Sequence, residues 1–277
     1  MGVMEISINT HTAEPQIEVY ADRPAVTEAI ASKLLTVLSE ALVSQPAAHV
    51  SLTGGGAGIA VLTAVKDLLE HSTTVPDWSA VHFWWGDERL LPRDDAERNE
   101  TQARQALLDA LVDEHGLPEE NIHPMPTSED AAHPAAGAEM YAQQLESFAP
   151  EGGIPGPHGP LNMPAFDVML LGVGPDGHIN SLFPGKDSLT VVGQTTVGEE
   201  DAPQQLGPPL RVTLTFDGIH TAQRVWTAVT GADKAEAAAR ALAAEPDVSE
   251  VPAANARGAQ ETVWHVDRAA AEQLPRV

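Results

Sequence analysis

The chain has 277 residues, 43% of them apolar, which suits one large α/β domain or two small ones with a substantial core. Fifteen Lys and Arg against 40 Asp and Glu give a formal charge of −25, which argues against nonspecific nucleic-acid binding and against anionic membrane surfaces. There is no cysteine, so disulfides, thiolate catalysis and Cys-based zinc sites are excluded.

Residues 1–10 lack a basic segment followed by an apolar one, and no run approaches the ~20 apolar residues of a membrane span. A soluble, cytoplasmic protein is expected, and in so acidic a chain a phosphorylated substrate requires a local cationic pocket. Residues 16–20 alternate like a strand, Asp22 offers an N-cap, and Pro24 sits in the first turn of a helix running to about Val43. Its apolar face, Val26, Ala29, Ile30, Leu34, Val37, Leu38 and Leu42, is a core face. A second strand over 48–52 leads into Thr53-Gly-Gly-Gly-Ala-Gly58 and a helix over 59–69. Strand, glycine-rich turn and helix N-terminus together suit an anion, although such turns also arise for packing reasons. The turn is neither a Walker loop nor a dinucleotide fingerprint. A third strand over 80–85 delivers Gly86-Asp-Glu-Arg89 to the same sheet edge, where Asp87 is placed to hold the Arg89 guanidinium.

A helix is expected over 96–112, with Ala103, Leu107, Leu108 and Leu111 inward and a stop at His115-Gly116. The prolines make 121–126 extended, with His123 in a structural role, and another helix covers about 134–148. Residues 150–164, with five Pro and four Gly, form a long surface loop within one domain. Phe166-Asp-Val-Met-Leu-Leu171 is a short apolar run ending in glycine, the pattern of a buried parallel strand. It feeds Gly172-Val-Gly-Pro-Asp-Gly-His-Ile-Asn-Ser-Leu-Phe-Pro-Gly185. Asp-Gly-His alone is an ordinary turn. At the carboxyl end of a parallel strand, however, Asp176 and His178 suggest a general base and its orienting partner. Residues 186–208 are polar and carry no clear element; a flap over the site is one arrangement open to them. Strands follow at 210–216 and 225–229. A helix over 232–242 places Lys234 in its first turn, where the dipole disfavours a cation unless an anion sits between them. A strand over 262–266 and a closing helix over 267–273 complete the chain. No internal repeat is visible.

Four blocks together resemble the 6-phosphogluconolactonase family: the glycine turn at 53–58, Trp85-Gly-Asp-Glu-Arg-Leu-Leu-Pro92 with Asn99, the 172–185 stretch, and Arg211-Val-Thr-Leu-Thr through Gly231-Ala-Asp-Lys234. Two departures stand out. Ile179-Asn180 replaces a more usual Thr-Ala pair, and no hydroxyl residues follow the glycines at 54–56. The resemblance implies a modified Rossmann-like α/β fold shared with the sugar-phosphate isomerases and deaminases, a parallel sheet flanked by helices, as a single domain over 1–277. It implies hydrolysis of 6-phospho-D-glucono-1,5-lactone in the oxidative pentose phosphate pathway, without cofactor or metal. His178 is the expected base and Asp176 its partner; loop amides near 174–178 or Arg89 are the expected oxyanion donors, and Arg89 fits either the reacting carbonyl or the phosphate. Gly54, Gly55, Gly56, Asp87, Arg211 and Lys234 are the substrate- and phosphate-binding candidates. The expected partner is a small sugar phosphate, with no nucleic acid or membrane, in a monomer or small homo-oligomer. Two alternatives remain: a 6-phosphosugar deaminase or isomerase using Asp87-Glu88 as base, and a non-catalytic sugar-phosphate sensor.

Overall fold

The computed structural model describes residues 12–72 and 75–274; the amino-terminal segment read for a leader lies outside the described residues. Chain order is β1 (Pro15–Tyr20), α1 (Arg23–Ser44), β2 (Ala48–Leu52), α2 (Gly55–Leu69), β3 (Val81–Trp85), β4 (Asp87–Arg89), α3 (Asn99–Ala103), α4 (Asp109–His115), α5 (Pro134–Glu146), β5 (Val168–Gly172), β6 (Thr196–Glu199), β7 (Arg211–Leu214), α6 (Phe216–His220), β8 (Arg224–Val229), α7 (Ala235–Ala241) and β9 (Glu261–Asp267).

Six strands form one parallel sheet in the order β1-β9-β8-β5-β2-β3. Its central strands are apolar on both faces: Val168, Met169 and Leu171 of β5 are fully buried. α1 begins where Asp22 accepts the N–H of Ala25 at 3.1 Å, with Pro24 in the first turn. Its stripe of Ile30, Leu34 and Leu38 lies at 1% exposure or less against α2 and the sheet. Burying each such side chain contributes about 1.5–3 kcal/mol. Ala29 and Leu42, at the stripe's margins, are only half-buried.

From β2 the chain steps outward to β3, then returns to build β5, β8 and β9 in turn on the other side of β2, where β9 pairs with the earlier strand β1. The carboxyl ends of β2 and β5 therefore flank a topological switch point, where open α/β sheets have their crevice.

Several expectations are corrected. β4, β7 and β6 form a separate antiparallel sheet, so the 210–216 strand leaves the parallel sheet and 196–199, assigned no element, is a strand. Thr196–Glu199 is short and mixed in character, and only pairing with β7 and packing against α5 make it a strand. α2 starts at Gly55, four residues before the apolar period begins. The 96–112 helix starts at Asn99 and continues to His115 through a π-helical turn at Arg104–Leu108, ending on left-handed Gly116. Residues 268–273 form turns, not a helix. Among the described residues no helix is long and apolar enough to cross a membrane.

Candidate active site

At the switch point lies a cavity of about 420 Å³, lined by the glycine turn after β2, Asp87, Arg89 and Asn99, the 172–178 loop, Asn180, Arg211 and Lys234. All of the predicted site residues border it except Asp176, which touches His178 from within the same loop.

The loop after β5 is built around that pair. His178 Nδ1 and Asp176 Oδ1 lie 2.5 Å apart, and the same oxygen accepts the His178 backbone N–H at 3.2 Å. Burial pushes the Asp176 carboxyl up, but the hydrogen bonds and charge of His178 outweigh it and hold it below the ordinary carboxylate range. An ionised carboxylate only accepts, so Nδ1 carries the proton and the Nε2 lone pair is left for proton transfer. The pair lies directly across Gly174: a Cβ there would come within 2.0 Å of His178 Nδ1 and 2.6 Å of Asp176 Oδ1. Phe183, with its ring centroid 4.7 Å from that of His178, packs beside the imidazole. The departure at Ile179-Asn180 is also accommodated. Ile179 is fully buried, and Asn180 takes a left-handed φ of 50°, a conformation Asn tolerates better than most residues.

The loop's own amides are not free oxyanion donors. Gly174 N–H donates to His178 O, Gly177 N–H to Gly174 O, and His178 N–H to Asp176. Arg89 is better placed. Its Nη1 donates to Asn99 Oδ1 and to Glu97 O, while its buried Nε has no partner. Asp87 does not hold Arg89 directly. It accepts from Ser181 Oγ at 2.7 Å and Asn99 Nδ2 at 3.2 Å, with Arg211 Nη1 at 3.9 Å. Asn99 thus relays between Asp87 and Arg89. It also presses on the glycine turn, since a Cβ on Gly54 would come within 1.8 Å of its Oδ1. Glu88 is buried and accepts the N–H groups of Arg89, Asn99 and Glu100. Glu88 is thus committed to the start of α3, while Asp87 borders the cavity with its two oxygens held by Ser181 and Asn99.

Arg211 is largely committed elsewhere. Its Nε donates to Pro208 O at 2.5 Å and Nη2 to Leu206 O at 2.8 Å, strapping the 204–208 segment beside the cavity, which Leu206 lines. Lys234 is paired with Asp233 at 3.1 Å, so a neighbouring carboxylate already offsets its unfavourable place at a helix start. The first turn of α2 is open: Gly54 caps it without a side-chain hydrogen bond, leaving helix N–H groups toward the cavity. Sequence reasoning missed Arg23 as part of this region; Asn99 was marked by its spacing after Arg89, and Asn180 and Ser181 lay within the 172–185 stretch without being assigned a place in the site. Among the described residues no group of three or more His, Asp or Glu is arranged to hold a metal ion.

The model of the family described as glucosamine-6-phosphate isomerases/6-phosphogluconolactonase matches residues 21–264. The chain is 40% identical over 264 residues to the 6-phosphogluconolactonase of Streptomyces coelicolor, covering 95% of each chain. It is 39% identical to that of Mycobacterium leprae, over 94% of this chain and 98% of the relative. The solved 6-phosphogluconolactonase from Trypanosoma brucei superposes with a TM-score of 0.78 at 27% identity, over 95% of this chain and 99% of the other. A monomeric glucosamine-6-phosphate deaminase shares the fold, with a TM-score of 0.73 at 19% identity over 93% of this chain and 99% of that one. On a match that runs from the start of α1 into β9, the chain belongs to the glucosamine-6-phosphate isomerase/6-phosphogluconolactonase family.

Proposed function

We propose that this protein hydrolyses 6-phospho-D-glucono-1,5-lactone to 6-phospho-D-gluconate in the pentose phosphate pathway, with no metal ion. The reading is carried by the His178–Asp176 pair in a cation-lined cavity at the switch point. It is supported by relatives named for this activity. His178 Nε2 takes a proton from water, whose oxygen attacks the lactone carbonyl carbon. The oxyanion that forms is met by the Arg89 guanidinium, which borders the cavity and is held in place by Asn99 and the carbonyl of Glu97. As the ring C–O bond breaks, the protonated imidazole returns its proton to the leaving ring oxygen. The first turn of α2 and Lys234 receive the 6-phosphate, where helix N–H groups and a cation meet an anion.

The test is turnover of freshly prepared 6-phosphogluconolactone in EDTA, corrected for spontaneous hydrolysis. The wild type should turn over, and His178→Ala should lose at least about 100-fold in kcat while still binding 6-phosphogluconate. Wild-type turnover in the variant would overturn the base assignment, and loss of activity in EDTA would overturn metal independence. Ligand binding without any turnover would favour a sensor.

A further inference from the structure

We propose that Arg23, at the first turn of α1, is a phosphate-binding residue of this cavity. This inference rests on the reading of the α2 N-terminus as the 6-phosphate site. Arg23 lies outside the four sequence blocks that marked the site, yet its guanidinium reaches across to α2, donates to the carbonyl of Gly56 and lines the cavity. Four of the fifteen cationic side chains of this acidic protein border this one cavity: Arg23, Arg89, Arg211 and Lys234. Two are already engaged. Arg211 straps the 204–208 segment, and Lys234, which shares its charge with Asp233, brings an ammonium and not a guanidinium to the phosphate. Arg89 stands on the Asp87–Asn99 side, beside the place assigned to the reacting carbonyl. A dianionic phosphate at the α2 N-terminus is therefore short of a guanidinium unless Arg23 supplies it.

The position of Arg23 is otherwise unfavourable. It occupies the first residue of a 22-residue helix, where the dipole repels a cation, and the one acidic group beside it is the N-cap carboxylate of Asp22, already bonded to the Ala25 N–H. The exposed side chain is not needed for packing, and its present acceptor is a neutral carbonyl. A phosphate offers that planar fork two charged oxygens in its place, a stronger, charge-assisted bond. Arg23 thus sits on the solvent side of the glycine turn and closes the phosphate between α1 and α2.

The experiment compares wild type, Arg23→Ala and Arg23→Lys on 6-phosphogluconolactone and on unphosphorylated D-glucono-1,5-lactone. Arg23→Ala should raise KM for the phosphorylated substrate by about 10- to 100-fold, with kcat within about 2-fold, in keeping with a hydrogen bond to a charged group. Arg23→Lys should recover part of that loss. Turnover of the unphosphorylated lactone should not change, and inhibition by inorganic phosphate should weaken in parallel with KM. An unchanged KM, or an equal loss on both lactones, would overturn the assignment. Wild-type turnover decides the lactonase reading separately. If the wild type is inactive, calorimetric binding of inorganic phosphate to wild type and Arg23→Ala still decides the role of Arg23, and equal affinity overturns it.

Discussion

Asp176 and His178 are two residues apart in sequence, and the turn between them folds so tightly that only glycine fits beneath the pair at 174. In the proposed mechanism the carboxylate fixes which ring nitrogen carries the proton, a role of orientation and not of proton transfer to substrate. Asp176→Asn replaces a pure acceptor with a group that can also donate to Nδ1, favouring the tautomer in which Nε2 is protonated. kcat should fall by about 10- to 100-fold or more, within the range general-base catalysis spans, with KM for the lactone and the thermal midpoint little changed. Steady-state kinetics beside a melting curve check this; a matched loss of kcat and of stability would make Asp176 a structural residue. Asn180, next but one to His178, is held left-handed, which gives the departure from Thr-Ala a backbone reason.

At the scale of elements, the site depends on how β4 is joined to α3. Glu88 points away from the cavity and takes the N–H groups of Asn99 and Glu100 at the start of α3, with the buried Arg98 guanidinium 3.8 Å away. That clamp fixes Asn99, and through it Arg89. Burial pushes the Glu88 carboxyl from its ordinary 4.5 up to about 7, against the pull of Arg98 and the three backbone N–H groups. The folded state then holds more protons than the unfolded chain across that window. The stability tied to this group is full below the unfolded pKa and is lost as pH rises toward about 7. The wild-type advantage over Glu88→Gln should shrink by on the order of 2 kcal/mol between about pH 5 and pH 7, measured as urea unfolding free energies at the two pH values. A pH-independent difference would contradict it. The parallel strands and long helices were legible in the sequence because Val-Met-Leu-Leu at 168–171 and the Ile30-Leu34-Leu38 stripe state their burial locally. β6 and the antiparallel sheet were not, because four mixed residues become a strand only through partners distant in the chain. The triplet Asp87-Glu88-Arg89 read as one charged unit, but its side chains go to Ser181, to α3 and to Asn99 respectively. Arg23 was hidden for the same reason: its contact with Gly56 spans 33 residues.

In the molecule as a whole, chemistry and support sit at opposite ends of the parallel sheet. The cavity lies beyond the carboxyl ends of β2 and β5. Near the amino ends of β2 and β3, His49, His82 and His123 stack with Trp84 and Phe148, with His123 and Trp84 ring centroids 3.9 Å apart. Burial, then the charge of neighbouring histidines, lowers His49 to about 4 and His123 to about 3, and burial lowers His82 as well, so His49 and His123 are neutral near pH 7. The crowding of cations into one cavity of a chain with charge −25 has a consequence for the rate of encounter. A dianionic substrate approaching from afar meets a repulsive field, and attraction takes over only near the cavity mouth. The Debye length falls from about 30 Å at 0.01 M salt to about 10 Å at 0.1 M, so added salt screens the distant repulsion before the near attraction. kcat/KM should therefore rise over that range of ionic strength, the reverse of an enzyme that steers its substrate with its whole surface; a monotonic fall would mean that the cavity's cations already dominate at long range.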